Sequence, residues 1–238
     1  TPKPSSAASD VYKRQDEQME EVVRTALDAG YRAFDTAYFY GNEKALGSAL
    51  KHSNVERDEL FITSKLWNDY QGYDQTIEYF NKSLDNLGLD YLDLFLIHWP
   101  CENDQLYIES YKALEHLYEE GKIKAIGVCN FKIHHLEKLM KETKITPQVN
   151  QIELHPYFNQ QDVQDFCDEH DIKVTAWMPL MRNKGLLDDP VITDIAHRYD
   201  KTPAQIVLRW HLAHNRIIIP KSQTPVSYTH LRAHETGR

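Results

Sequence analysis

Cysteine is scarce in this chain, with three in 238 residues, at positions 101, 129 and 167. Their wide spacing offers neither a disulfide framework nor a Cys-x-x-Cys metal motif, which suits a reducing cytoplasm. Glycine is scarce too, with nine residues. No Gly-x-Gly-x-x-Gly occurs, which removes the usual phosphate turn of an open, doubly wound dinucleotide-binding sheet. Positive charge is in deficit: 27 Lys and Arg stand against 36 Asp and Glu, for a formal net charge of −9. The basic residues are scattered, so no nucleic-acid face is expected. Long apolar runs are also missing. The best, YLDLFLIHW, is too short to span a bilayer and contains Asp93. A cytoplasmic location is the expectation, with neither a nucleic acid nor a membrane as partner.

The two ends do not share the pattern of the rest. Residues 10–15, DVYKRQ, can be encoded by GATGTGTATAAGAGACAG, and residues 226–231, VSYTHL, by its reverse complement over the shared length. These strings resemble the transposase adapter of sequencing-library preparation. Residues 1–15 and 226–238 are therefore read as non-native. Residues 16–225 are read as one domain, long enough to bury a sizeable core and cut at both ends.

Between the ends the chain has a regular rhythm. EQMEEVVRTALDAG carries a helical period and a glycine stop, and YRAFDTA then reads as a short strand. The alternation repeats through LFITSKLW, YLDLFLIHWP, IKAIGVCN, PQVNQIELHP, KVTAWMPL and RIIIPKS, with a helical segment before each. Two helices precede the last strand, and Thr202–Pro203 reads as an N-cap with proline at the first helical position. Strand–helix alternation implies parallel pairing through right-handed crossovers. Seven strands, with no strand read before the first helix and no helix after the last strand, predict a (β/α)8 TIM barrel of the α/β class. It is expected to be incomplete, with the first strand and last helix missing.

Barrels of this kind place chemistry at the C-terminal ends of their strands. Here those ends carry Asp35, Lys65, His98, Asn130, Gln151 with Glu153, Trp177, and Lys221 with Ser222. Tyr40 follows Asp35 closely. A phenol, with a pKa of about 10, is a poor acid near neutrality. A neighbouring ammonium eases its ionisation. Lys65 can supply that charge, Asp35 can hold Lys65, and His98 can hydrogen-bond a substrate oxygen or help the phenol pass its proton. The set suits proton donation to a carbonyl oxygen while hydride reaches the carbon. No side chain donates hydride, so a nicotinamide cofactor is implied.

GYRAFDTAYFYGNEKALGSAL, LDNLGLDYLDLFLIHWP and IIIPKS resemble the three characteristic blocks of the aldo-keto reductase family, and the likeness runs through residues 16–225. The segment between Trp99 and Tyr107, and VTAWMPL, resemble the bacterial 2,5-diketogluconate reductase and glyoxal reductase branch. The resemblance implies a barrel and NADPH-dependent reduction of a small aldehyde, ketone or keto sugar. It implies a catalytic tetrad at Asp35, Tyr40, Lys65 and His98, with Tyr40 as general acid. It also implies cofactor contacts from Cys129, Asn130 and Gln151, stacking on Trp177, and a grip on the 2′-phosphate by Lys221 and Ser222. Phe39, Trp67, His98 and Trp99 are implied to line the substrate pocket, with no metal. A monomer is implied.

Two departures stand out. Cys129 occupies a position where the family usually has serine, and the thiol is a weaker donor. Ser227 occupies a position where the family carries an arginine for the 2′-phosphate. Two other functional classes remain open at this point. One is a nicotinamide-binding regulatory barrel without turnover. The other is a barrel enzyme in which Lys65 forms a Schiff base.

Overall fold

Eight parallel strands stand side by side in chain order in the computed structural model, which describes residues 6–8 and 16–220. They are β1 (Ser6–Ala8), β2 (Ala33–Asp35), β3 (Phe61–Leu66), β4 (Leu94–Ile97), β5 (Ile126–Cys129), β6 (Val149–Glu153), β7 (Lys173–Trp177) and β8 (Ile217–Ile219). Between them run α1 (Asp16–Asp28), α2 (Glu43–Lys51), α3 (Tyr73–Leu87), α4 (Asp104–Glu119), α5 (Ile133–Glu142) and α6 (Gln161–Glu169), and the last connection holds α7 (Pro190–Tyr199) and α8 (Pro203–Ala213). This is the expected α/β barrel. β4 and β5 are buried throughout, as a sheet jacketed by helices requires.

One expectation is corrected. The place of the first strand is filled: Ser6–Ala8 pairs in parallel with Ala33–Asp35 and comes close to β8. These residues fall inside the segment read as foreign. The physical reason is that a β-ladder is built from backbone groups, so an exposed strand edge accepts extended chain largely without regard to side chains. The missing last helix concerns residues outside those described.

The core lies between the barrel and its helices. Phe80 of α3 meets Phe95 of β4 edge-to-face at 5.2 Å, and both are fully buried. α2 approaches α3 so closely that a Cβ on Gly47 would lie 2.3 Å from the Leu87 carbonyl oxygen. The cap read at Thr202 is present as a reciprocal pair. Gln205 N donates to Thr202 Oγ1 at 3.3 Å, and Thr202 N donates to Gln205 Oε1 at 2.7 Å.

Asp93, the charge that interrupts the longest apolar run, sits just before β4, at the end of the barrel away from the strand C-termini. Its carboxylate accepts from Arg57 at 2.7 Å and from the Ile62 amide at 2.9 Å, with Lys124 at 3.5 Å. Arg57 and Lys124 each lie 4.0 Å from the centroid of the Tyr91 ring. No described helix is long and apolar enough to cross a membrane.

Candidate active site

At the C-terminal ends of β2, β3 and β4 the chain brings Asp35, Tyr40, Lys65 and His98 together. Asp35 ends β2 and is 6 % exposed. Lys65 lies inside β3 with no exposure at all. Its ammonium bonds Asp35 Oδ1 and donates to the Thr36 carbonyl oxygen at 2.9 Å. Burial alone would drive the Lys65 pKa down. The charge of Asp35, with smaller help from Tyr40 and Cys129 and from the Asp35 hydrogen bond, outweighs it, and the net shift is upward. A lysine so held is a fixed cation and not a free amine. An ammonium engaged with Asp35 and Thr36 does not favour the Schiff-base reading, which needs a free amine.

Tyr40 stands on a 3₁₀ turn, Tyr38–Tyr40, which Gly41 closes with a φ of 64°. That left-handed value costs glycine least. The Lys65 ammonium lies 5.5 Å from the centroid of the Tyr40 ring. The His98 imidazole meets the same ring edge-on at 5.6 Å. Burial first, then the Lys65 charge, pushes the His98 pKa down to about 3. That shift favours the neutral imidazole of His98 over the cation at neutral pH. Its Nδ1 is buried without a partner.

The expected cofactor residues line the adjoining strand ends. Asn130 directly follows β5 in the left-handed region, with φ 62°, a conformation asparagine tolerates better than most residues. Three bonds over-determine it. Its amide nitrogen donates to Gln151 O at 2.9 Å, its Nδ2 donates to His98 O at 3.0 Å, and its Oδ1 accepts from Trp177 Nε1 at 2.8 Å. Gln151 Nε2 donates to Asp35 Oδ2 at 2.9 Å. Trp177 ends β7 and is half-buried. Cys129 is 1 % exposed, and burial pushes its thiol pKa up against the pull of Lys65. It stays a thiol.

Phe39 stacks on Trp67 with centroids 3.8 Å apart and planes 17° from parallel. Trp67 in turn meets His98 edge-on at 5.2 Å. Trp99, 41 % exposed, has its carbonyl oxygen held by Gln71 Nε2 at 2.8 Å. All the sequence-derived site residues converge on this rim, apart from Lys221 and Ser222, which lie outside the described residues. Sequence reasoning missed Thr36 and Gln151 as direct holders of Lys65 and Asp35. Only their strand-end positions hinted at it.

The profile of the Aldo/keto reductase family matches residues 7–233. The chain belongs to this family. It is similar to the glyoxal reductase of Bacillus subtilis (strain 168), with 51 % identity over 202 residues, 85 % of this chain and 72 % of that one. It is similar to the methylglyoxal reductase DkgA of Escherichia coli (strain K12), with 48 % identity over 216 residues, 90 % of this chain and 78 % of that one. Among solved structures it is similar to a mutant of Gox0644 in complex with NADPH, with a TM-score of 0.90 and 40 % identity, covering 98 % of this chain and 83 % of that one. The protein is accordingly an oxidoreductase of the aldo-keto reductase type, which uses a nicotinamide cofactor.

A nicotinamide fits the residues present. The half-buried Trp177 indole is bonded to the Asn130 amide, and the Gln151 amide stands on β6, the strand between them. Such a set can stack on a planar ring and hydrogen-bond its carboxamide.

Proposed function

We propose that this protein reduces the carbonyl group of a small aldehyde, ketone or keto sugar with NADPH, and that Tyr40 is the proton donor. One observation carries the reading. A fully buried Lys65, its ammonium bonded to Asp35, lies 5.5 Å from the centroid of the Tyr40 ring.

Hydride is the chemistry a bound nicotinamide supplies. The remaining work falls to side chains. As negative charge develops on the carbonyl oxygen, Tyr40 donates its phenolic proton to it. Lys65 stabilises the phenolate left behind. A bare lone pair costs less to bury than an unbonded N–H, so the His98 proton is assigned to Nε2. That N–H is then able to donate to the substrate oxygen. Asn130, Gln151 and Trp177 would hold the nicotinamide ring, with Cys129 beside them. Phe39, Trp67 and Trp99 would form an aromatic wall suited to small carbonyl compounds. The names of the two reductases above favour 2-oxoaldehydes such as methylglyoxal as first substrates. The NADPH complex of the structural relative favours NADPH over NADH.

The test is turnover of methylglyoxal with NADPH and with NADH by the purified chain and by Tyr40→Phe. The variant should lose about 10²–10⁴-fold in kcat and still bind NADPH. Undiminished turnover in Tyr40→Phe removes the phenol from the mechanism. NADPH binding without turnover of any small carbonyl by the parent protein would favour the regulatory barrel instead.

A further inference from the structure

Glu43 is the first residue of α2 and is only 2 % exposed. Its Oε1 accepts from the Ser64 hydroxyl at 2.6 Å, and its Oε2 accepts from Asn86 Nδ2 at 3.1 Å. It takes part in none of the ion pairs among the described residues. A buried carboxylate without a cation is costly. Here the start of a helix, where backbone N–H groups favour negative charge, and two hydrogen bonds offset that cost.

The location of Glu43 suggests why it is kept. Ser64 directly precedes Lys65 on β3. Side chains alternate along a strand, so Ser64 turns to the helices while Lys65 turns to the site. At the near end of the same loop, Thr36 directly follows Asp35. Its Oγ1 donates to Asn42 Oδ1 at 2.7 Å, and its carbonyl oxygen accepts from Lys65 Nζ at 2.9 Å. The loop carrying Tyr40 thus begins at Thr36 and ends at Glu43. Both ends are fastened to β3, one at Lys65 and the other at its neighbour.

We propose that Glu43 is a positioning residue: by fastening the far end of the Tyr40 loop to Ser64, it fixes the separation of Tyr40 and Lys65. The inference rests on the reading of Tyr40 as the proton donor. Glutamate suits the task because both its oxygens accept, matching the Ser64 hydroxyl and the Asn86 amide. Glutamine could keep Asn86 on its oxygen only by turning its NH₂ on Ser64, whose hydroxyl would then have to accept and lose its present acceptor.

Ser64→Ala and Glu43→Gln test this with methylglyoxal and NADPH, beside Tyr40→Phe. Each should lower kcat by about 10-fold or more through misplacement of the acid, with the NADPH dissociation constant unchanged. The alkaline limb of the kcat profile should move to higher pH, because a phenol farther from an ammonium holds its proton more tightly. The double variant should be no worse than the poorer single one, since both act through one bond. A general loss of packing would lower the melting temperature without moving that limb. A folded Ser64→Ala or Glu43→Gln with the parent's kcat and alkaline limb, while Tyr40→Phe is inactive, overturns the role of Glu43 alone. An active Tyr40→Phe overturns the assignment of Tyr40, and this inference with it.

Discussion

Gln151 on β6 reaches across the barrel mouth to Asp35 on β2, its Nε2 donating to Asp35 Oδ2 at 2.9 Å, with both side chains at least nine-tenths buried. The two carboxylate oxygens are therefore divided, Oδ1 to Lys65 and Oδ2 to Gln151. Gln151→Leu would leave Oδ2 buried without that donor. We expect a loss of about 1–3 kcal/mol in urea unfolding, together with reduced kcat. An unchanged unfolding midpoint would show that Asp35 does not need its second donor.

Lys65 and Asp35 should separate stability from catalysis. Lys65→Met leaves a carboxylate buried without its cation and should cost about 3–5 kcal/mol. Adding Asp35→Asn removes the orphaned charge and should restore most of that stability. Turnover should stay lost in both variants. Restored turnover in the double variant would mean that the ammonium is dispensable to the chemistry.

Two buried histidines set an acid limit. Burial, then the Lys65 charge, lowers the His98 pKa to about 3 from 6.5. Burial first, then the nearby charges of Arg216, His155 and His214, lowers that of His211 to about 3, against the opposing hydrogen bond to the Pro179 carbonyl. Between those values the unfolded chain binds more protons than the folded one, so stability rises with pH. The contribution is complete above about pH 6.5 and is lost as pH falls toward 3. Chemical unfolding from pH 8 to pH 4 should show this slope, and His211→Gln should flatten it.

Asp93 should matter to stability and not to chemistry. Asp93→Ala strips the partner from Arg57 and from the Ile62 amide at the closed end of the barrel. A loss of about 2–4 kcal/mol is expected, with kcat unaltered at a temperature where the variant is folded. A changed kcat would tie that end of the barrel to the site.

Cys129→Ser should not weaken NADPH binding, because a hydroxyl is the better donor. A fluorescence titration that shows a clear rise in the dissociation constant would refute this.

Much of the barrel was legible in the sequence because its signals are local. Apolar stretches alternate with amphipathic ones, and caps such as Thr202 with Pro203 and Gln205 announce helix starts within a few residues. The rim residues followed from position, since Asp35, Lys65, His98, Asn130 and Gln151 stand at or just beside the C-terminal ends of successive strands. The cross-links were not legible. Gln151 and Asp35 are 116 residues apart, and Glu43 and Ser64 are 21 apart. Only the closed sheet brings such pairs together. The strand at Ser6–Ala8 was missed for another reason: it lies in the segment read as non-native, and Ser-Ala-Ala carries no β-branched or aromatic signal.

That strand gives the barrel a seam. β1 meets β2 over three register pairs, ending at Ala8 opposite Asp35. β2 and β3 pair over three positions as well, so what distinguishes β1 is its other side, where no register pair joins it to β8 among the described residues; an edge strand held on one side can open without the rest of the barrel unfolding. Asp35 therefore sits beside this edge strand, tied inward by Lys65 and Gln151. A short extended peptide supplied in solution could compete for the same edge, and amide exchange at Ala33–Asp35 would report how often the joint stands open.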